Sequence, residues 1–245
     1  MKATLRVLAQ GDAAASVELG DSLDLATNAR VLSLDRALRR SPPPGLRETV
    51  PTLRSLLVLY DPAALRFGAL ARHVEAAAAG IESAPAPRFR RHEVPAVYGG
   101  EDGPDLEPLA AALGLEPKEL VARHAGAEYT ALMLGFTPGF AYLGLLPGGL
   151  DVPRRDTPRV RVPAGSLAAA GRMTAVYPSA SPGGWQLLGR AATRFFDPWR
   201  DEPALVAPGD RVRFVPVRER PAADAGPRAL ARPPRRSRRS STPGC

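Results

Sequence analysis

The chain has 245 residues, 44% of them hydrophobic, and a formal net charge of +8, which suits one large domain or two small ones with a real core. No apolar run reaches the ~20 residues of a bilayer span, and the single cysteine, Cys245, excludes an intramolecular disulfide and a cysteine-built metal site. The charge is concentrated at one end: residues 219–245 hold seven arginines against Glu219 and Asp224, a net of +5, so nucleic acid is not an expected partner of the body.

The N-terminus shows no long apolar run before Gly11 and Asp12, so no secretory signal is expected and the cytoplasm is the default location. Residues 4–10 and 16–19 read as short strands around a Gly-Asp turn. From Ser22 to Arg40, Leu23, Val31, Leu34 and Leu38 fit one helical stripe with Ser22 as cap, and SPPPG at 41–45 ends it. LRSLLVLY at 53–60 predicts a buried strand, and a helix is expected from Asp61-Pro62 to Gly80. Residues 1–82 therefore read as a small α+β domain.

ESAPAPR at 82–88 is the best boundary in the chain, giving a linker over 83–90. RFRRHEVPAVY resumes strand-like alternation, and two short helices are expected over Asp105–Gly114 and Glu116–Gly126. After Gly126 come short strand-like runs, YTALMLGF, RVRVPAG, WQLLGR, TRFF and RVRFVPV, punctuated by Gly and Pro. Such spacing predicts a β-sandwich or barrel over 91–218. The tail, 219–245, is expected to be disordered, and a solvated appendage is preferred over an anion-binding arm.

No complete catalytic constellation stands out. Walker A, G-x-G-x-x-G, H-E-x-x-H and G-x-S-x-G patterns are all missing. His73, His92 and His124 are far apart, without acidic partners at metal-ligand spacing, so no metal site is expected. His73 reads as a surface residue and His92 as solvent-facing. For His124, late in a helix, a packed or capping role outweighs acid–base catalysis, which leaves it a weak catalytic candidate.

Residues 135–190 contain GFTPGFAYLG, PR-x-x-TPR-x-RVPAGS and YP-x-x-SPGGWQL-x-GR. These ordered strings resemble the B-subunit family of bacterial ATP-dependent 5-oxoprolinase. That family has also been labelled allophanate hydrolase subunit 1 (carboxyltransferase domain, subdomain C and D) and includes the Kip inhibitor of a sporulation histidine kinase. YGGEDGPDL (98–106), LVARHAGAEY (120–129) and PGDRVRFVPV (208–217) extend the resemblance to roughly residues 3–217. It implies a small α+β N-terminal domain followed by a cyclophilin-like β-barrel. It also implies a non-autonomous role: with the A and C subunits, opening 5-oxoproline to glutamate at the expense of ATP, with the nucleotide shared among the partners and no biotin site in this chain. A histidine-kinase inhibitor and a urea- or allophanate-related carboxyltransferase component are the alternatives. Leu145, Met173 and Ala175 depart from the family pattern, and Met173 lacks the amide of the glutamine usual there.

ATP coupling suits a lactam, because phosphorylating the amide oxygen makes it a leaving group. Such a site needs arginines or backbone N–H groups aimed at anionic oxygens. Arg154, Arg155, Arg159 and Arg161 form either an anion-binding loop feeding Gly165 and Ser166 or a strand with solvent-facing arginines; Arg159, inside the TPR string, is the firmest candidate. In SPGGWQLLGR, Gly183 and Gly184 either allow close backbone approach to a ligand, with Gln186 as a polar contact, or form a turn that plants Trp185 in the core. Tyr177 and Ser181 would line the same pocket. Phe136, Thr137, Pro138, Gly139 and Phe140 complete the candidates, as an irregular, buried crossing at one rim of the barrel.

Overall fold

The structure is a computed structural model and describes residues 5–81 and 89–219. Most of the Pro-rich linker and nearly all of the Arg-rich tail lie outside the described residues.

Strands β1 (Arg6–Ala9), β2 (Ala14–Glu18), β3 (Leu46–Pro51) and β4 (Ser55–Tyr60) form an antiparallel sheet in the order β1-β2-β4-β3. Side chains alternate strictly between faces along β4, so Leu56, Val58 and Tyr60 point into one core. Helices α1 (Leu25–Arg40) and α2 (Phe67–Gly80) cover that face with Val31, Leu34, Leu38, Leu70 and Val74. The cap of α1 is Asp24 rather than Ser22: Asp24 Oδ1 accepts from Thr27 N at 2.7 Å, and the Ser22 hydroxyl donates to Asp24 Oδ2 at 2.8 Å. This places a carboxylate at the positive end of the helix. Asp61-Pro62 starts a separate turn ahead of α2, with Ala63 N donating to Asp61 Oδ1 at 3.0 Å.

Beyond residue 90, strands β5 (Arg91–Tyr98), β6 (Glu128–Leu134), β7 (Ala141–Gly144), β9 (Ser166–Ala170), β10 (Met173–Val176), β12 (Gln186–Ala191) and β13 (Arg211–Pro216) close a seven-stranded barrel in the order β10-β7-β6-β13-β5-β12-β9. Its neighbours are antiparallel except β5 and β13, which run parallel. A two-stranded ribbon of β8 (Arg159–Val162) and β11 (Ser181–Gly183) stands apart from it. Helices α3 (Leu106–Ala112) and α4 (Pro117–Ala125) pack Leu106, Leu109 and Leu120 into the larger barrel cluster with Tyr129, Leu143 and Phe214. The fold is α+β with a closed β-barrel, as the cyclophilin-like expectation required.

Every residue of β9 is buried. Leu167 and Ala169 join the larger cluster, whereas Ala168 and Ala170 join a second one with Phe140, Tyr177, Trp185 and Leu187. Successive side chains leave opposite faces of a strand, so β9 separates two cores. The TRFF run is not a strand; Phe196 makes only an isolated bridge to Ala204.

Candidate functional site

Asp105 sits just before α3 and gathers three donors. Its Oδ1 accepts from Arg159 Nη2 at 2.8 Å and Arg155 Nη1 at 3.0 Å, and its Oδ2 from Leu187 N at 2.7 Å. Burial alone would raise its pKa, but the Arg159 hydrogen bond, the Leu187 N–H and both positive charges together hold the carboxyl below its ordinary value. The arginines expected to face solvent or a ligand thus divide. Arg155 and Arg159 are tied inward, while Arg154 and Arg161 are exposed. One carboxylate cannot neutralise two guanidinium groups, and Arg155 Nε and Arg159 Nη1 are buried without a protein partner. A cleft of about 510 Å³ opens here, lined by Asp105, Leu109, Pro153, Arg154, Arg155, Asp156 and Gln186 among others. Its wall is stitched together: Gln186 Nε2 donates to Pro153 O at 3.1 Å and Arg155 N to Gly184 O at 2.9 Å.

An aromatic group adjoins that wall. Trp185, beside cleft residue Gln186 in the chain, lies in the second core. Phe140 sits at the centre, with ring centroids 5.0 Å from Tyr142, 5.2 Å from Tyr177, 5.3 Å from Phe136 and 5.7 Å from Trp185, all edge to face. Such pairs each contribute about 0.5–1.5 kcal/mol beyond burial. The Tyr177 ring rests against Gly183, where an added Cβ would lie 2.3 Å from Tyr177 Oη, so this glycine makes room for a ring. Burial raises the Tyr177 pKa, opposed by the Trp185 N–H and by Arg154 and Arg159. These influences place arginine charge near the aromatic group.

GFTPGF is a hairpin loop between β6 and β7 rather than a buried crossing. Gly135 N donates to Phe140 O at 3.1 Å and Phe140 N to Thr137 O at 3.0 Å. Phe140 is 1% exposed and anchors the loop, whereas Phe136 is 59% exposed. Phe136 has φ 68°, the left-handed region that a bulky residue rarely adopts. Pro138 is exposed, and Gly139 packs so tightly that an added Cβ would lie 2.5 Å from Phe196 Cβ. Thr137 Oγ1 and Ser181 Oγ are both buried without a partner. Ser181 shares the ribbon with Arg159, since Ser181 pairs with Val162 and Gly183 with Arg159. Orphaned buried hydroxyls are rare enough to require a reason.

Gly165 and Ser166 lie elsewhere than the arginine loop. The turn before them is held by Arg190, whose Nε and Nη2 donate to Ala164 O at 3.1 and 3.0 Å and whose Nη1 donates to Asp102 Oδ1 at 3.1 Å. Gly165 N bonds Tyr177 O at 2.7 Å, so this turn supports Tyr177 from behind. His124 is 1% exposed, with Nδ1 2.8 Å from Tyr98 Oη and Nε2 2.9 Å from Thr174 Oγ1. Burial pushes its pKa down to about 3. Both nitrogens are engaged, which supports the packed role. His92 is not solvent-facing: its Nε2 lies 3.1 Å from Asp210 Oδ2, and its side chain is 15% exposed. Asp105 is the site residue that the sequence does not single out. Asp105 appeared there only as a helix start, and its partners lie about fifty residues or more away in the chain. Among the described residues no group of three or more His, Cys, Asp or Glu could hold a metal ion, and no helix is long and apolar enough to cross a membrane.

The chain belongs to the family described as carboxyltransferase domain, subdomain C and D, which matches residues 5–206. Within it, the chain is 44% identical to the 5-oxoprolinase B subunit of Escherichia coli O157:H7, over 85% of this chain and 94% of that protein. It is 37% identical to the 5-oxoprolinase B subunit of Bacillus subtilis, over 86% of this chain and 92% of that protein. A crystal structure of TTHA0988 superimposes with a TM-score of 0.74 at 39% identity, covering 86% of this chain and 41% of that one, so the chain spans about two fifths of that longer protein. The Kluyveromyces lactis urea carboxylase shares the fold, with a TM-score of 0.69 at 21% identity over 87% of this chain and 22% of that one.

Proposed function

We propose that this chain is the B component of an ATP-dependent 5-oxoprolinase, acting with A and C subunits to open 5-oxo-L-proline to L-glutamate. The observation that carries this reading is the 44% identity to the 5-oxoprolinase component across nearly all of the Escherichia coli protein. In support of one wall of a shared site, Arg154 and Arg155 line a cleft together with Asp105 and Asp156, and Arg155 Nε and Arg159 Nη1 keep donors without a protein partner.

The chemistry assigned to this wall is electrostatic. Arg154 and the unused donors of Arg155 and Arg159 would meet an anionic oxygen, a carboxylate or a single phosphoryl group. Asp105 and Asp156 offset Arg154 and Arg155 in the lining, too little positive charge for a whole triphosphate, so ATP is assigned mainly to the partner chains. Asp105 fixes the direction of both forks beforehand, which spares their reorganisation on binding. Phe136, at the exposed rim, would help exclude water once a partner closes over the cleft. The domain division near residues 82–90 and a cytoplasmic location are part of the same reading.

The test is reconstitution. Purified together with A and C homologues, the protein should release ADP in proportion to 5-oxoproline consumed, while the isolated chain should be inactive. Absence of turnover from the full set, or robust turnover by this chain alone, overturns the reading.

A further inference from the structure

A second recess lies away from the Arg154–Arg155 cleft, where α1 meets residues 207–210 and the start of β13. Its volume is about 270 Å³, and its walls include Leu32, Ser33, Arg36, Phe89, Thr130 and Arg211. Asn28 fixes the seam. Its Nδ2 donates to Thr52 O at 3.1 Å and Leu53 O at 3.2 Å, between β3 and β4, and to Leu132 O at 3.0 Å on β6. The recess is therefore braced on both sides.

Its lining carries two cations, Arg36 and Arg211, against one carboxylate, Asp210. Arg36 donates Nη2 to Ser33 Oγ at 3.0 Å and forms no ion pair among the described residues. Arg211 donates Nη1 to Thr130 Oγ1, its guanidinium lies 5.0 Å above the Phe89 ring, and its Nε is buried without a partner. The buried carboxylates Asp210, a wall residue, and Asp35, beside Arg36 in the chain, are held by other donors. Asp210 accepts from Arg90 N and Nε, His92 Nε2 and Ala207 N. Asp35 accepts from Arg39 Nε and Thr49 Oγ1. Next to these cations lie exposed apolar surfaces, Leu25 at 45% and Phe89 at 42%.

We propose that this recess binds a small organic carboxylate with an apolar face. Arg36 and Arg211 take the carboxylate, and Leu25, Leu32 and Phe89 cover the apolar part. An inorganic anion would leave those apolar walls unmatched. A nucleotide would exceed the space, which falls just below the ~300–1,000 Å³ of pockets for drug-sized ligands. Because the ligand touches α1 and β13 together, its binding braces the seam that Asn28 holds. This site is separate from the proposed oxoprolinase wall, and its binding test needs no partner chain.

Benzoate is the probe, titrated into the full chain and followed by amide ¹H–¹⁵N shifts, with benzamide and inorganic sulfate as controls. Saturable shifts are expected at Ser33, Arg36 and Gly209, with benzamide and sulfate each binding at least about tenfold more weakly. Arg36→Gln should weaken benzoate about tenfold while leaving the rest of the spectrum in place, and Arg36→Lys should retain part of the affinity. No saturable shift, shifts confined to the Arg154–Arg155 cleft, equal binding of either control, or unchanged affinity in Arg36→Gln would each overturn the proposal.

Discussion

Arg159 Nη2 lies 2.8 Å from Asp105 Oδ1, joining the β8–β11 ribbon to the start of α3 across more than fifty residues of chain. The same carboxylate holds Arg155 and the Leu187 N–H. Asp105→Asn keeps the shape but removes the charge both arginines depend on. It should destabilise the fold by about 3 kcal/mol and, under the proposed function, raise KM for 5-oxoproline in the reconstituted assembly. Denaturant unfolding and steady-state kinetics check the two effects separately.

The Tyr177 ring leaves no room for a side chain on Gly183, and its contact with Phe140 keeps it from moving aside. Gly183→Ala should therefore cost about 1–3 kcal/mol and disturb the near-ultraviolet circular dichroism of the aromatic group. Gly148→Ala is the control, because nothing lies within 4 Å of its added Cβ.

Phe136 combines a left-handed backbone with an exposed ring. Phe136→Gly relieves a conformation that costs about 1–2 kcal/mol for a non-glycine residue but gives up the ring's edge-to-face contacts with Phe140 and Tyr177, each about 0.5–1.5 kcal/mol. The two effects offset, so thermal stability should change little, while turnover of the proposed assembled enzyme falls. Phe140→Ala, in contrast, should lose about 3–5 kcal/mol, as its ring is the hub of the group. A large stability loss from Phe136→Gly would instead make that ring a packing element.

His124 is held neutral by burial, with its pKa pushed from 6.5 down to about 3. The unfolded chain therefore binds a proton that the folded chain refuses between those values. Its contribution is fully present above pH 6.5 and declines as pH falls toward 3, by up to about 1.4 kcal/mol per pH unit. His124→Phe should flatten this part of the stability–pH curve. It should also lower stability at neutral pH, because Tyr98 and Thr174 lose a partner. Urea midpoints measured across that range test both statements.

Much of the frame was legible in the sequence. The alternation in LRSLLVLY and the helical stripe of α1 both appear in the structure. What escaped notice had physical reasons. β3 lies at a sheet edge and ends in Pro51, a position where proline is tolerated because its missing N–H faces no neighbour. β9 is serine, leucine and three alanines, without the β-branched residues or polar alternation that mark a strand, because both of its faces are buried. The strings that carried the family resemblance did supply Phe140, Tyr177, Trp185 and Arg159. They could not supply Asp105 as the partner of Arg159, since that pairing exists only after the chain has folded back on itself.

The parallel pairing of β5 with β13 has a consequence for the order of events in folding. Residues 6–80 contain a complete sheet with its own covering helices, built from near neighbours in the chain. The barrel cannot close that way, because Arg91 must wait for Arg211. Such a distant contact makes for slow closure, and until it forms β5 and β6 lack the strand that lies between them. During synthesis the first sheet can settle on the ribosome while the barrel stays open, so misassembly and capture by chaperones would be concentrated in that interval.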